Sequence, residues 1–407
     1  MKVCIVSTHY PSDDAIGEYC GHIAAELGKQ AEVVVLANAD VKLPTISRIQ
    51  TNGGASNYVV LRVWKSGLFY PFTIFRNLIR LKPDIVHVQH EYFLYGKGYS
   101  AVLFPIVLFL MKLTRIPVVV TMHHVIARED AGHIKKLLRT STPEILLKMF
   151  LTFFNRAFSL SSKIIVPSSI FKKTLSLNYR IKNKQIEVIQ HFTDTNVQKF
   201  IGKDDKEAKI LMGLNGKKVI LFYGFIRPTK GIEYVLYAMK KVKDIIPNVF
   251  FLVDGKAQPN YATYFDYLLR LVSDLELSSY VKFDENIPKE LLAVTFAASD
   301  VAVFPYTSAV GMTPIAHLTA AAYGKAIIAT NIDSFNKEFD DCENALLVPP
   351  MNADALSKSI IKVLTDNVLS KKLSNNILHY CEERSRERAI SDTVRIYQDA
   401  LGQKEEI

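Results

Sequence analysis

The chain of 407 residues has four cysteines, and none is placed for covalent or metal chemistry. Cys4, Cys20, Cys342 and Cys381 show neither close pairing nor ligand spacing, which argues against a disulfide scaffold and a structural zinc site. Reduced thiols in a cytosolic protein are the expectation. Long apolar runs are also missing. The two most apolar stretches, "AVLFPIVLFLMKL" (101–113) and "EILLKMFLTFF" (144–154), fall short of a bilayer span and carry Lys or Pro. Both read as buried helices. The N-terminus passes straight into a strand pattern, "KVCIVS", so no targeting sequence is expected. There is no G-x-G-x-x-G fingerprint, which sets a dinucleotide-dependent dehydrogenase far down the ranking. No helix-turn-helix, zinc or RNA-binding signature is present, so nucleic acid is not the expected partner.

What is present suits a globular enzyme of two domains. Half of the residues are apolar and 22% are charged, and the length exceeds what one compact core usually holds. The net charge of +10 is unevenly spread. Residues 1–200 hold 25 Lys and Arg against 13 Asp and Glu, whereas residues 201–407 hold 25 against 27. A basic half attracts phosphates, including those of an anionic membrane surface; solubility alone accounts for it equally well.

Short apolar strands alternate with helical patterns along nearly the whole chain. Strands are expected at 2–7, 32–37, 84–89, 117–121, 163–167 and 186–191, then at 218–223, 249–253, 280–283, 300–304, 326–329 and 345–348. Near-continuous apolar strands separated by helices predict two α/β blocks with parallel sheets covered on both faces. The polar segment 195–218 reads as a linker between a domain at 1–195 and one at 196–380. Residues 381–407 read as a helical end that crosses back over the first domain.

Open parallel sheets bind ligands at the C-terminal ends of their strands. After the strand ending in "LFY" comes "GFIRPTKG", with Arg227 and Lys230 just before a helical pattern. Two cations and a helix N-terminus there suit an anion such as a diphosphate. Gly17, placed before the helix of the first loop, is a second candidate for phosphate approach. Gly311 and Thr313, ahead of a helix starting near Pro314, are a third. Four of the ten histidines stand at two strand ends: His87 and His90 in "VHVQHEY", His123 and His124 in "VVVTMHHV". Zinc fits on composition, but no His-x-x-x-His spacing or cysteine partner supports it. Sugar binding or acid–base work ranks ahead.

Taken in order, these stretches resemble retaining glycosyltransferases of the GT-B fold, most closely glycosyltransferase family 4. "PDIVHVQHEY" is similar to the family's D-v-v-H-x-H segment, and "VVVTMHHV" to its v-x-T-x-H segment. "SSKIIVPSS" resembles the next strand and turn, and "YGFIRPTKG" the donor loop G-x-[IL]-x-x-x-K-G. "DDCENALLVPPMNADALSKSI" is similar to e-x-g-x-N-G-x-L-v-x-P-x-d-x-x-x-L, with Ala345 for its glycine. The resemblance implies two Rossmann-like domains facing across a cleft and transfer of a sugar, with retention, from a UDP- or GDP-linked donor. A glycan or lipid-linked acceptor follows, along with a cytoplasmic place, free or peripheral on the inner face of the membrane. It implies donor contacts at Arg227, Lys230, Gly17, Gly311, Met312, Thr313 and Thr319. His123 takes the catalytic position, with His90 and His124 on sugar or acceptor. No metal or other cofactor is implied, and the chain has no Asp-x-Asp pair.

The chain departs from the pattern at the Glu-x7-Glu motif. The second glutamate falls on Thr319 and the first near Gly311 or Ser308, and none is acidic. Phe225 follows the strand glycine where the family often has arginine, and the first-loop double glycine is reduced to Ile16-Gly17. The missing carboxylates support an alternative reading, a non-catalytic glycosyltransferase-like subunit that binds nucleotide or a partner protein.

Overall fold

Runs of Val, Ile, Leu and Phe form strands here because both faces of each strand are covered. The computed structural model describes residues 1–10, 15–39, 43–50, 57–137, 140–192, 205–257, 259–285, 287–308 and 316–402. The chain divides into two units, one of Met1–His191 with Arg386–Ile407, the other lying within Phe192–Ser385.

The first unit holds β1 (Lys2–Val6), β2 (Glu32–Asn38), β3 (Ile46–Gln50), β4 (Asn57–Trp64), β5 (Ile85–His90), β6 (Val118–Met122), β7 (Lys163–Val166) and β8 (Ile186–Val188). They form one sheet in the order β3-β4-β2-β1-β5-β6-β7-β8. Helices α1 (Ala15–Leu27), α2 (Tyr70–Leu81), α3 (Phe104–Leu113) and α4 (Glu144–Arg156) belong to this unit. In α2, Pro71 sits in the first turn, where its missing N–H costs nothing, and Ile74 and Leu78, four apart, are buried on one face. The core gathers Val86, Val88, Phe104, Phe154, Phe158 and Ile164, each large side chain contributing about 1.5–3 kcal/mol of burial.

The second unit holds α5 (Asp205–Leu211), β9 (Lys218–Tyr223), α6 (Ile232–Ile245), β10 (Val249–Asp254), β11 (Val281–Asp284), β12 (Val301–Phe304), α7 (Ala316–Ala322), β13 (Ile327–Thr330) and β14 (Leu346–Val348). Its sheet runs β11-β10-β9-β12-β13-β14, parallel throughout. Strand order reverses between β9 and β12, the place where a crevice opens at strand ends. The C-terminal helix α8 (Arg386–Ala400) packs on α1 and β6 of the first unit.

Three expectations are corrected. The first sheet is not wholly parallel, because β3 pairs antiparallel with β4. The edge strand β3, "ISRIQ", leaves every side chain at least partly exposed and so lacks the apolar run that marks the others. The segment 195–218 is not all linker: α5 buries Ala208, and Lys209 Nζ reaches Asp300 Oδ2 at 2.7 Å. Residues 101–113 and 144–154 are helical, but only their inner faces are buried. Among the described residues no helix is long and apolar enough to cross a membrane.

Candidate functional site

In the second unit, β9 delivers its chain to Gly224, and residues Pro228–Lys230 make one 3-10 turn before α6. Gly231 closes that turn at φ +66, and a Cβ on it would stand 2.1 Å from the carbonyl oxygen of Pro305, just past β12. Only glycine permits both the backbone and the approach. Thr307 N–H donates to Thr229 O at 3.0 Å, binding the loop after β12 to the loop after β9.

This close fit buries Lys230, whose Nζ lies 3.5 Å from the centroid of the Tyr306 ring. The ring face offers the cation partial compensation. Among the described residues no carboxylate lies within 4 Å of Nζ. Burial, and then the charge of Arg227, bring the Lys230 pKa down to about 6. Arg227 is half-buried three residues before it. A buried ammonium beside a guanidinium is an unfavourable arrangement on its own, and a dianion placed between them reverses its sign.

Asp254 closes β10 at the same end of the sheet, in register with Tyr223 and Asp284. Its carboxyl is buried, with Oδ2 lacking a hydrogen-bond partner. Burial, helped by the negative charge of Asp284, raises its pKa to about 7. No motif marks it in the chain, since a lone Asp before a glycine reads as a turn.

In the first unit the histidines form a hydrogen-bonded row beneath the ends of β5 and β6. Gln89 Nε2 donates to His87 Nε2 at 3.2 Å, and Gln89 Oε1 accepts from His123 Nε2 at 2.8 Å. His87 Nε2 therefore accepts, also from the Thr121 hydroxyl at 2.7 Å. Its Nδ1–H donates to the hydroxyl of Tyr397, on α8, at 2.6 Å. These proton positions follow from the orientation assigned to the Gln89 amide. His123 is left with a bare Nδ1, buried and without a hydrogen-bond partner.

The His123 ring stacks on His191, centroids 5.2 Å apart and planes 3° from parallel, while the Tyr19 ring meets it edge-on at 5.0 Å. Burial first, and then the nearby histidines with His191 foremost, hold the His123 pKa well below the usual imidazole value. A neutral ring with one fixed N–H and one bare nitrogen can accept a hydrogen bond or a proton. Gln89, Tyr19, His191 and Tyr397 were missed from the sequence. Gln89 had a signal: it lies between two strand-end histidines.

The remaining expected residues fall elsewhere. His90 is corrected as a sugar or acceptor contact. Its ring is fully buried, 4.4 Å from Phe104 and 4.7 Å from Phe158 between centroids, and burial takes its pKa to about 3. It exposes no atom to a ligand. His124 is partly exposed and its Nδ1 lies 3.2 Å from Glu91 Oε1. Gly17 stands inside the first turn of α1, not ahead of it, because the helix begins at Ala15. Thr319 lies within α7, half-buried. Gly311, Met312 and Thr313 lie outside the described residues. Among the described residues no three His, Cys, Asp or Glu side chains gather as a metal site would need.

Two family models match this chain. Glycosyl transferases group 1 matches residues 203–379, and Glycosyltransferase Family 4 matches residues 16–197. The D-inositol 3-phosphate glycosyltransferase of Streptomyces bingchenggensis is 26% identical over 214 residues, 51% of this chain and 46% of that one. The phosphatidyl-myo-inositol mannosyltransferase of Mycolicibacterium smegmatis is 26% identical over 165 residues, 40% of each. The chain thus spans less than half the length of these curated relatives. The sucrose-phosphate synthase of Thermosynechococcus elongatus shares the fold with a TM-score of 0.75 at 16% identity, over 99% of this chain and 100% of that one. HepE of Anabaena, solved in complex with UDP, does so with 0.74 at 15%, over 98% and 100%.

Proposed function

Because residues 203–379 match the glycosyl transferases group 1, residues 16–197 match Glycosyltransferase Family 4, and the chain has the GT-B fold, we propose that it moves a hexosyl group from a nucleotide-sugar to a glycan or lipid-linked acceptor, with retention of anomeric configuration. The observation that carries this reading is Lys230: a buried amine at a strand end, beside Arg227, with no carboxylate on it among the described residues. Such a pair holds the donor diphosphate and neutralises it as the leaving group while the anomeric bond breaks. The UDP and UDP-glucose bound by the Anabaena neighbour make uridine diphosphate the first donor to test, ahead of GDP.

His123 takes the catalytic position in the first unit, with Gln89 fixing its ring. The diphosphate charge is met by side-chain cations, so the reaction needs no metal. The enzyme works in the cytoplasm or at the inner face of its membrane.

Thermal shift against UDP, GDP, ADP and their common sugars tests the reading, because a ligand of the folded state raises its melting temperature. One nucleotide is expected to stabilise the chain, and Lys230→Ala to weaken its binding by about 2–4 kcal/mol. Unchanged calorimetric affinity in that variant removes the donor site. Thr319, standing where the family has a glutamate, favours the second reading, a nucleotide-binding subunit without catalysis. Binding with no turnover of any donor, EDTA present or absent, would select it.

A further inference from the structure

Helices α3 and α4 each have one face in the core and one face left open. The open faces carry Phe109, Met149 and Phe153, which are 55%, 62% and 71% exposed. Between the helices lies a groove of about 1340 Å³ with Ile106 and Ile145 also on its walls. Soluble proteins seldom leave so continuous an apolar surface without a partner.

The charges along it identify the partner's chemistry. Arg128, Lys148 and Arg156 line the groove against one acid, Glu129, although Lys148 also pairs with Glu144 at 2.6 Å. Helix α2 packs on α3 and exposes Phe72 and Ile79 along with Arg76 and Arg80. Lys112 and Arg115 stand exposed at the end of α3. Aromatic and aliphatic side chains interleaved with Lys and Arg on one helical face are what an interfacial helix presents to anionic lipid.

We propose that the outer face of α2, α3 and α4 docks in the plane of an anionic bilayer, with the α3–α4 groove taking an acyl chain. The cations meet lipid phosphates while Phe109, Met149 and Phe153 enter the headgroup boundary. The inference locates the membrane contact of the proposed function on named residues but stands without the transfer chemistry.

Flotation of the full chain with phosphatidylcholine vesicles, with and without phosphatidylglycerol, tests it. Binding is expected only with the anionic lipid, and to fall with salt. Lys148→Glu with Arg156→Glu should reduce it about fivefold or more for each cation lost. Met149→Asp with Phe153→Asp should reduce it as strongly, whereas Lys182→Glu with Lys184→Glu, off this face, should leave most of it. Fluorescence of Phe153→Trp should be quenched by lipids brominated along the acyl chain.

No flotation at low salt overturns the proposal, as does an apolar pair of substitutions without effect. Sedimentation equilibrium supplies another test: a wild-type dimer that the Met149/Phe153 variant dissociates would make this face a contact between copies of the chain. Thermal shift with UDP, run on the same samples, separates the two readings. A chain that binds UDP but not vesicles loses only the docking face, and one that floats without binding UDP loses only the donor site.

Discussion

The hydroxyl of Tyr397 lies 2.6 Å from Nδ1 of His87, 310 residues earlier in the chain. Through this bond the C-terminal helix holds the ring of one histidine in place. Gln89 then passes the constraint to His123. Each member is buried, so each proton position is fixed by its neighbour instead of by solvent. The candidate catalytic ring is held by a side chain that no local sequence pattern connects to it.

Replacing Tyr397 with Phe removes one hydrogen bond and leaves the ring packing, the rings of His87 and Tyr397 being 5.5 Å apart between centroids. A stability loss of about 1 kcal/mol is expected from urea unfolding. If the row positions His123, turnover of the donor should fall several-fold while donor affinity stays within error. Equal losses in stability-matched turnover and affinity would reduce Tyr397 to a packing residue.

His123→Ala should cut turnover by at least tenfold and nucleotide affinity by far less, measured by steady-state kinetics and calorimetry. The depressed pKa adds a second expectation. His123 stays neutral across the physiological range, so the pH–rate profile should show no limb near the ordinary imidazole value that vanishes in the variant. A limb of that kind would mean that the ring is charged in the working enzyme.

Much of this was readable in the chain because parallel strands buried on both faces print themselves as apolar runs. The apolar runs predict twelve strands, and β1, β5, β9 and β12 fall within a residue or so of their expected ends. Strands β3 and β4 are absent from that set: the edge strand β3 leaves its side chains exposed, and β4 buries only every second residue instead of forming a continuous apolar run. Arg227 and Lys230 stand out by charge in a loop shaped by Gly224 and Gly231, and the structure buries the second of them. His90 misled, since a strand-end histidine looks the same whether it faces ligand or the rings of Phe104 and Phe158. Tyr397 and His191 were illegible, because only tertiary packing brings them to His123.

If Lys230 holds the donor diphosphate as proposed, it should couple nucleotide binding to protons. Its pKa in the folded chain, about 6 against the usual 10.5, leaves it largely neutral at pH 8. A diphosphate beside it favours the charged form, so binding at pH 8 should take up a proton, and binding near pH 5 should take up none. Calorimetry in phosphate and in Tris, whose ionisation heats differ, reads the difference. Between about pH 6 and 10.5 the unfolded chain holds this proton and the folded one does not, so stability should rise with pH there. Lys230→Met should therefore be more stable than the wild type, most of all below pH 6, and bind nucleotide weakly.

Asp254 gives the opposite slope. Its carboxyl titrates near pH 7 in the folded chain, against 3.8 in the unfolded one, through burial and then the charge of Asp284. Between those values the folded state holds the extra proton, so stability should fall as pH rises through the window and level off above 7. The full shift corresponds to about 4 kcal/mol as an upper figure. Asp254→Asn keeps the shape and abolishes the charge. Urea unfolding of the two proteins should give a difference near its minimum at pH 4 that grows in favour of Asn until pH 7. Parallel stability curves from pH 4 to 8 would show that the carboxyl ionises at its ordinary value, and that the end of β10 tolerates a negative charge beside Asp284.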